Sequence, residues 1–231
     1  ENGLVTPATP GRLKIEVPAG LIDIAYETAG DRVTSVKITN VPAYVAAWGI
    51  EVELDGLGPL KVDVSYGGNY YAIVEPQGAY TGLDDLGASR IVELSGRLRE
   101  AIRAVYEPVH PLDPTIRGVS HILWADKPKH AGADGRNAVF YGDKAIYRSP
   151  CGTGTSARLA HLHAQGKLAV GQAFVHESYI CSRFTGRVEA ETRLGDQPAI
   201  IPSIQGSAIQ TGLNTIWIDR ADPFWEGFQV K

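Results

Sequence analysis

Ser149-Pro150-Cys151-Gly152-Thr153-Gly154-Thr155-Ser156-Ala157 is the stretch on which the reading of this sequence turns. A strand-like run ends near Tyr147, and the spacing of Ala157, Leu159, Ala160, Leu162 and Ala164 predicts a helix that starts just after Cys151 and stops at Gly166. Gly152 and Gly154 permit close approach of a ligand to the backbone, and the free N–H groups of a first helical turn point at that ligand. Such a terminus suits a phosphate or a carboxylate. It is not a P-loop, because the Lys that should precede the Ser/Thr is missing. A thiol at this place is expected to have its pKa lowered by the helix N-terminus. A thiolate there either attacks a carbonyl or takes a proton from the carbon next to a bound carboxylate. Attack needs a His held against the Cys, and no sequence feature supplies one. Proton transfer needs only a base on one face and an acid on the other. Free Cys is ordinarily a small core residue, but the Gly-Thr-Gly-Thr flank favours chemistry for Cys151.

Working outward, Arg12–Val17, Leu21–Tyr26, Arg32–Thr39 and Leu60–Tyr66 alternate as strands with one wet face, separated by Gly, Pro and Asn turns. From Asp84 to Tyr106 the period changes, with Ile91, Leu94, Leu98, Ile102 and Val105 three or four apart: an amphipathic helix, capped by Thr81 or Asp84. Strand-like runs follow at 118–124, 137–141, 172–176, 187–192, 199–210 and 213–219, and the aromatic tail of Phe224, Trp225 and Phe228 reads as core closure. Beta-rich segments organised round two long helices make an α+β protein with two similar lobes. Cys181, in a strand-like run, reads as packing. His121, in an apolar strand, reads equally as a satisfied core histidine or a substrate contact. His161, His163 and the His176-Glu177 pair read as structural.

Composition sets the outer limits. The 231 residues carry 22 Lys+Arg against 26 Asp+Glu, a net charge of −4 without a basic patch, which argues against nucleic acid as a partner. No run approaches ~20 apolar residues, so no membrane span is read. Two cysteines make no disulfide framework and point to a reducing, cytoplasmic setting. The six histidines lack metal-ligand spacing, so no metal is expected. The chain has no methionine and opens at Glu1, from which a removed start is expected.

At these residues the chain resembles the proline racemase family, which includes 4-hydroxyproline 2-epimerases and trans-3-hydroxyproline dehydratases. Beside Ser149–Thr155, the resemblance is carried by Thr39-Asn-Val-Pro42, Tyr66-Gly-Gly-Asn-Tyr70, Phe184-Thr-Gly-Arg-Val188, Ile201-Pro-Ser-Ile204 and Asp222-Pro-Phe224. It implies the diaminopimelate epimerase fold, two lobes each with a curved, mostly antiparallel sheet round a central helix. Residues 1–80 would then be the remainder of an incomplete N-terminal lobe. Residues 81–205 would form the C-terminal lobe with Cys151, and 206–231 a return segment on the first lobe. The resemblance implies a cofactor-independent reaction in which two cysteines flank the substrate Cα, one deprotonating and the other reprotonating. Cys151 matches the second cysteine, a position that looks like Thr in dehydratases. Gly152 and Thr153 match the backbone donors to the substrate carboxylate.

The family's first cysteine lies in a Met-Cys-Gly-His motif before the stretch matching Glu1, and Cys181 does not match it. A missing N-terminal segment of the same protein is therefore an expected partner, and a homodimer another. Tyr147 stands where the family usually has an Asp for the substrate ammonium, and Tyr141 looks like a pocket wall. The expected substrate is a small imino acid. The readings, in order, are 4-hydroxyproline 2-epimerase, proline racemase, trans-3-hydroxyproline dehydratase and a non-catalytic imino-acid binder.

Overall fold

The computed structural model describes residues 3–228. Its strands are β1 (Arg12–Val17), β2 (Gly20–Ala29), β3 (Arg32–Thr39), β4 (Tyr44–Leu54), β5 (Gly58–Tyr66), β6 (Tyr70–Val74), β7 (His121–Asp126), β8 (Gly135–Tyr141), β9 (Ala145–Ile146), β10 (Ala173–Ser178), β11 (Arg183–Leu194) and β12 (Gln197–Gly206). The helices are α1 (Leu83–Val105) and α2 (Gly152–Ala164). All strands share one sheet in the order β1-β2-β3-β12-β11-β10-β8-β7-β6-β5-β4, with β9 paired to β8. Among the described residues only β6 with β7 and β8 with β10 run parallel. A parallel neighbour needs a long crossover, usually a helix, and the two helices are these two crossovers.

Paired backbone bonds between Ala43 and Ile200, at 2.9 and 2.8 Å, join the start of β4 to β12 and curl the sheet from β12 to β4 into a ring. Helix α2 packs against β4, β5, β6, β11 and β12 within it. Every residue from Gly154 to Leu162 is buried, as expected of a helix surrounded by sheet. Helix α1 is amphipathic. It buries Ile91, Leu94, Leu98 and Ile102, leaves Val105 exposed, and packs on β4, β7 and β8. The α+β class is as expected from the sequence. Both helices pack on β4, and β4–β6 share the ring with β7–β12.

Strands β6, β7 and β8 are covered on both faces. On β6, Tyr70, Ala72 and Val74 join the core under α1, while Tyr71 and Ile73 turn to the α2 side with Leu123, Val139 and Cys151. Double burial removes the polar–apolar alternation, so the all-apolar Tyr70–Val74 is not read as a strand from its pattern. Strand β4 escapes detection for another reason: its register against β5 shifts at Ala47 and again before Ile50.

Three further expectations are corrected. The α1 cap is neither Thr81 nor Asp84. The N-cap residue is Gly82, and the first-turn N–H of Leu83 donates to Asp126 Oδ2 at 2.8 Å from across the sheet. No strand forms over 213–219, and the tail does not close a core among the described residues: Trp217 is 90% exposed and Phe228 72%. Cys181 is not in a strand but in the turn between β10 and β11, half-buried, with φ of 70°. No helix among the described residues is long and apolar enough to cross a membrane.

Candidate active site

Cys151 is the N-cap of α2, with φ 68° and ψ 122°. That left-handed backbone is unusual for a residue with a Cβ, and the surroundings fix it. Asn137 Nδ2 donates to the carbonyl of Pro150 at 2.9 Å, and Thr155 N–H to that of Cys151 at 2.8 Å. Below them Thr155 Oγ1 meets Nδ1 of the buried His176 at 3.0 Å. The carbonyls of the loop are thus tied down, and helix geometry leaves the first-turn N–H groups of Gly152 and Thr153 without intrahelical acceptors, that of Thr153 turned to the sulfur. Gly152 and Thr153 line a cavity of about 280 Å³ with Asn40, Gly68, Asn69, Ile38 and Ile204. A larger cavity of about 710 Å³, between β4, the end of α2 and β12, touches none of these residues.

The sulfur has three close neighbours. Tyr71 Oη lies 3.3 Å away, the Gly154 N–H donates to Sγ at 3.4 Å, and Thr153 Oγ1 lies at 3.8 Å. Tyr71 Oη also meets Thr153 Oγ1 at 2.6 Å. Burial pushes the Cys151 thiol up, and the donors from Tyr71, Gly154 and Thr153 only partly offset it. The sequence-based expectation of a lowered pKa is therefore corrected: the resting group is a thiol. Burial raises Tyr71 well above the usual phenol value, so its hydroxyl keeps its proton and can turn between the sulfur and Thr153.

The structure brings the other predicted residues together beside this sulfur. His121 lies between Tyr71, with ring centroids 4.8 Å apart, and Tyr147, stacked at 6.2 Å. Tyr147 stacks in turn on Tyr141 at 3.9 Å. Burial, with the charge of Arg99, lowers His121 to about 4, so its imidazole is neutral at pH 7, and Ser120 Oγ holds Nδ1 at 2.7 Å. The wall near Cys151 is thus aromatic and uncharged. Tyr71 and Asn40 were not singled out by the sequence reading. Asn40 Nδ2 bridges Gly67 O at 2.9 Å and Ser156 Oγ at 3.0 Å. Alternation along β6, once its ends are known, is the signal that places Tyr71 on the Cys151 face.

Two consequences can be measured. In Tyr71→Phe the sulfur loses one donor, and a hydrogen bond to a charged group is worth about 1.5–3 kcal/mol. The Cys151 pKa should rise by at least about 1 unit, read from the pH dependence of its alkylation by iodoacetamide. An unmoved profile would mean that Tyr71 donates only to Thr153. The second concerns His176, which burial lowers to about 3. An unfolded histidine takes a proton near 6.5, so between those values the unfolded chain binds more protons. This contribution to stability is complete above about pH 6.5 and shrinks as pH falls toward 3. Moving from pH 7 to 5 should lose about 2 kcal/mol from this group. Urea unfolding at both pH values should show the loss, and His176→Asn should flatten it.

Known proteins share this chain's sequence and fold. The chain is 59% identical over 230 residues to a 4-hydroxyproline 2-epimerase of Ancylobacter novellus, covering 100% of the chain and 69% of the relative. A crystal structure of a hydroxyproline epimerase from Agrobacterium vitis with bound trans-4-hydroxy-L-proline matches with TM-score 0.88 and 31% identity, over 99% of this chain and 65% of that one. A probable proline racemase from Agrobacterium radiobacter K84, with bound carbonate, matches with TM-score 0.87 and 33% identity, over 97% of this chain and 66% of that one. The chain therefore spans about two thirds of the length of these proteins. The profile of the proline racemase family matches residues 1–229, and the chain belongs to that family.

Proposed function

We propose that this chain carries one half of the acid/base machinery of an amino-acid epimerase, with 4-hydroxyproline as substrate and inversion at Cα as the reaction. The observation that carries the reading is the thiol of Cys151 set at the N-terminus of α2, beside the first-turn N–H groups of Gly152 and Thr153. Those groups receive the substrate carboxylate. As Cα loses its proton, negative charge spreads onto the carboxylate oxygens, and fixed donors stabilise it without reorganising. A resting thiol makes Cys151 the proton donor in one direction, and its thiolate the base in the other. As a thiolate forms, the Tyr71 hydroxyl turns from Thr153 to the sulfur. Inversion needs a second acid/base on the far face of Cα. The reading places it on a cysteine in a segment of the protein outside residues 1–231, and a reducing compartment keeps both as thiols. The organic substrate and the two thiols suffice, so no cofactor enters.

The imino acid rests against His121, Tyr141 and Tyr147. A Tyr147 hydroxyl accepts a hydrogen bond from the substrate ammonium, and the aromatic faces attract the same cation. The names and bound ligand of the relatives support the choice of 4-hydroxyproline. The test is proton NMR of the full-length protein in deuterated water with trans-4-hydroxy-L-proline, L-proline and trans-3-hydroxy-L-proline offered separately. Loss of the Cα signal, with a diastereomer growing in from the first, is the expected result. Exchange with proline alone would make the protein a racemase, and loss of the 3-hydroxyl a dehydratase. Binding without exchange of any of them would leave an imino-acid binder.

A further inference from the structure

Away from Cys151, the segment after β7 and the turn between β10 and β11 bring together three side chains of metal-ligating type. His130, Glu177 and Cys181 each offer one ligand atom, and all three atoms lie within 4.8 Å of one another. We propose that His130 Nδ1, the Glu177 carboxylate and Cys181 Sγ form a binding site for a divalent transition-metal ion of the zinc type. Metal–ligand bonds of about 2.0–2.3 Å in a tetrahedral arrangement put ligand atoms roughly 3–4 Å apart, so small side-chain movements close this cluster round an ion.

The donor set decides the class of ion. A thiolate, an imidazole and a carboxylate suit a borderline-soft ion and not Mg²⁺ or Ca²⁺, which prefer oxygen. Three protein ligands leave a fourth position for water, and the half-exposed His130 marks the side from which the ion enters. The cluster is held in place before any ion arrives. Glu177 is fully buried, its Oε2 accepts the Lys129 N–H at 2.8 Å, and its Oε1 lies 2.8 Å from His130 Nδ1. The N–H of Cys181 donates to the Ser178 carbonyl at 2.9 Å. One group opposes the ion: Arg183 Nη2 lies 3.5 Å from Glu177 Oε1. It also donates to the Ala131 carbonyl at 3.3 Å, and its side chain is 40% exposed, so it has a route into solvent when the carboxylate turns to the metal.

The site also bears on Cys151. Ser182, next to Cys181, donates through Oγ to the Arg148 carbonyl at 2.7 Å, three residues before Cys151. An ion that ties Cys181 to Glu177 and His130 therefore braces the segment that leads into the α2 cap. Chain spacing hides the cluster, because 47 residues separate His130 from Glu177.

The test is a titration of the reduced full-length protein with Co²⁺, followed by absorbance. One equivalent should raise a thiolate-to-cobalt charge-transfer band in the near ultraviolet, with visible d–d bands, and Zn²⁺ should bleach both. Cys181→Gly should lose the charge-transfer band entirely, and His130→Ala should lower the affinity. Glycine accepts the φ of 70° at this position without strain, so this variant should fold at least as well as the parent. Cys151→Ser should keep the spectrum. A missing band, or one that survives Cys181→Gly and vanishes with Cys151→Ser, would overturn the proposal.

Discussion

Cys151→Ser is expected to lower Cα proton exchange at least 10³-fold while leaving the fold intact. The expectation follows from the chemistry of the position. A positioned acid/base contributes about 10²–10⁴-fold to proton transfer, and a serine hydroxyl is neither a competent base nor a competent acid near pH 7. The replacement removes little else. Oγ is smaller than Sγ but can still accept the Gly154 N–H, and the Pro150 and Cys151 carbonyls keep their bonds to Asn137 and Thr155. Substrate binding should therefore survive, because the first turn of α2 keeps its place when Oγ stands where Sγ stood. The decisive measurement pairs NMR exchange in deuterated water with a binding titration of the same variant. Lost exchange with retained binding assigns the proton transfer to Cys151. Exchange at the parent rate would remove Cys151 from the chemistry. Lost binding with lost exchange would mean that the sulfur itself holds the ligand.

What the sequence discloses about this site, and what it hides, follows from how each residue is used. Cys151, Gly152 and Thr153 are legible because a loop-to-helix junction has a local signature: turn residues, a change of period and glycines where backbone must approach a ligand. Both helices are legible for the same local reason, and four of the strands because they keep a wet face. Strands β4 and β6 are not, since one carries register shifts and the other is covered on both faces. Tyr71 is hidden with β6. Its hydroxyl reaches the sulfur because the crossover through α1 lays β7, and with it β8, beside β6 in the same sheet, a long-range fact that no window of sequence contains. The direction of the Cys151 pKa is missed in a similar way. The helix N-terminus is local and readable, but the burial that outweighs it comes from Tyr71, Ile73, Leu123 and Val139 on three other strands.

The contact between the β5–β6 turn and α2 also makes Gly67 a sensitive small residue near the site. A Cβ built on Gly67 would lie 2.3 Å from the Thr153 carbonyl oxygen, 2.5 Å from the Ala157 nitrogen and 2.9 Å from Ser156 Cβ. Two of these are backbone atoms of α2, which no rotamer change can move aside. Gly67→Ala must therefore push the first turn of the helix away from the β5–β6 turn. The movement stretches the Asn40 bridge between Gly67 O and Ser156 Oγ, and it separates Tyr71 on β6 from Thr153 and the sulfur. Overpacking of this kind destabilises by about 1–3 kcal/mol. A misplacement of about 1 Å in a positioned group lowers a rate by about 10²-fold. Urea unfolding should show the first effect and Cα exchange the second, with the exchange loss exceeding what the unfolded fraction explains. Gly96→Ala is the control. Its added Cβ meets nothing within 4 Å and sits inside α1, so the same methyl should stabilise by about 0.5–1 kcal/mol and leave exchange unchanged. If Gly67→Ala behaved like Gly96→Ala, the close approach of the β5–β6 turn to α2 would not be what holds Cys151 in register with Tyr71.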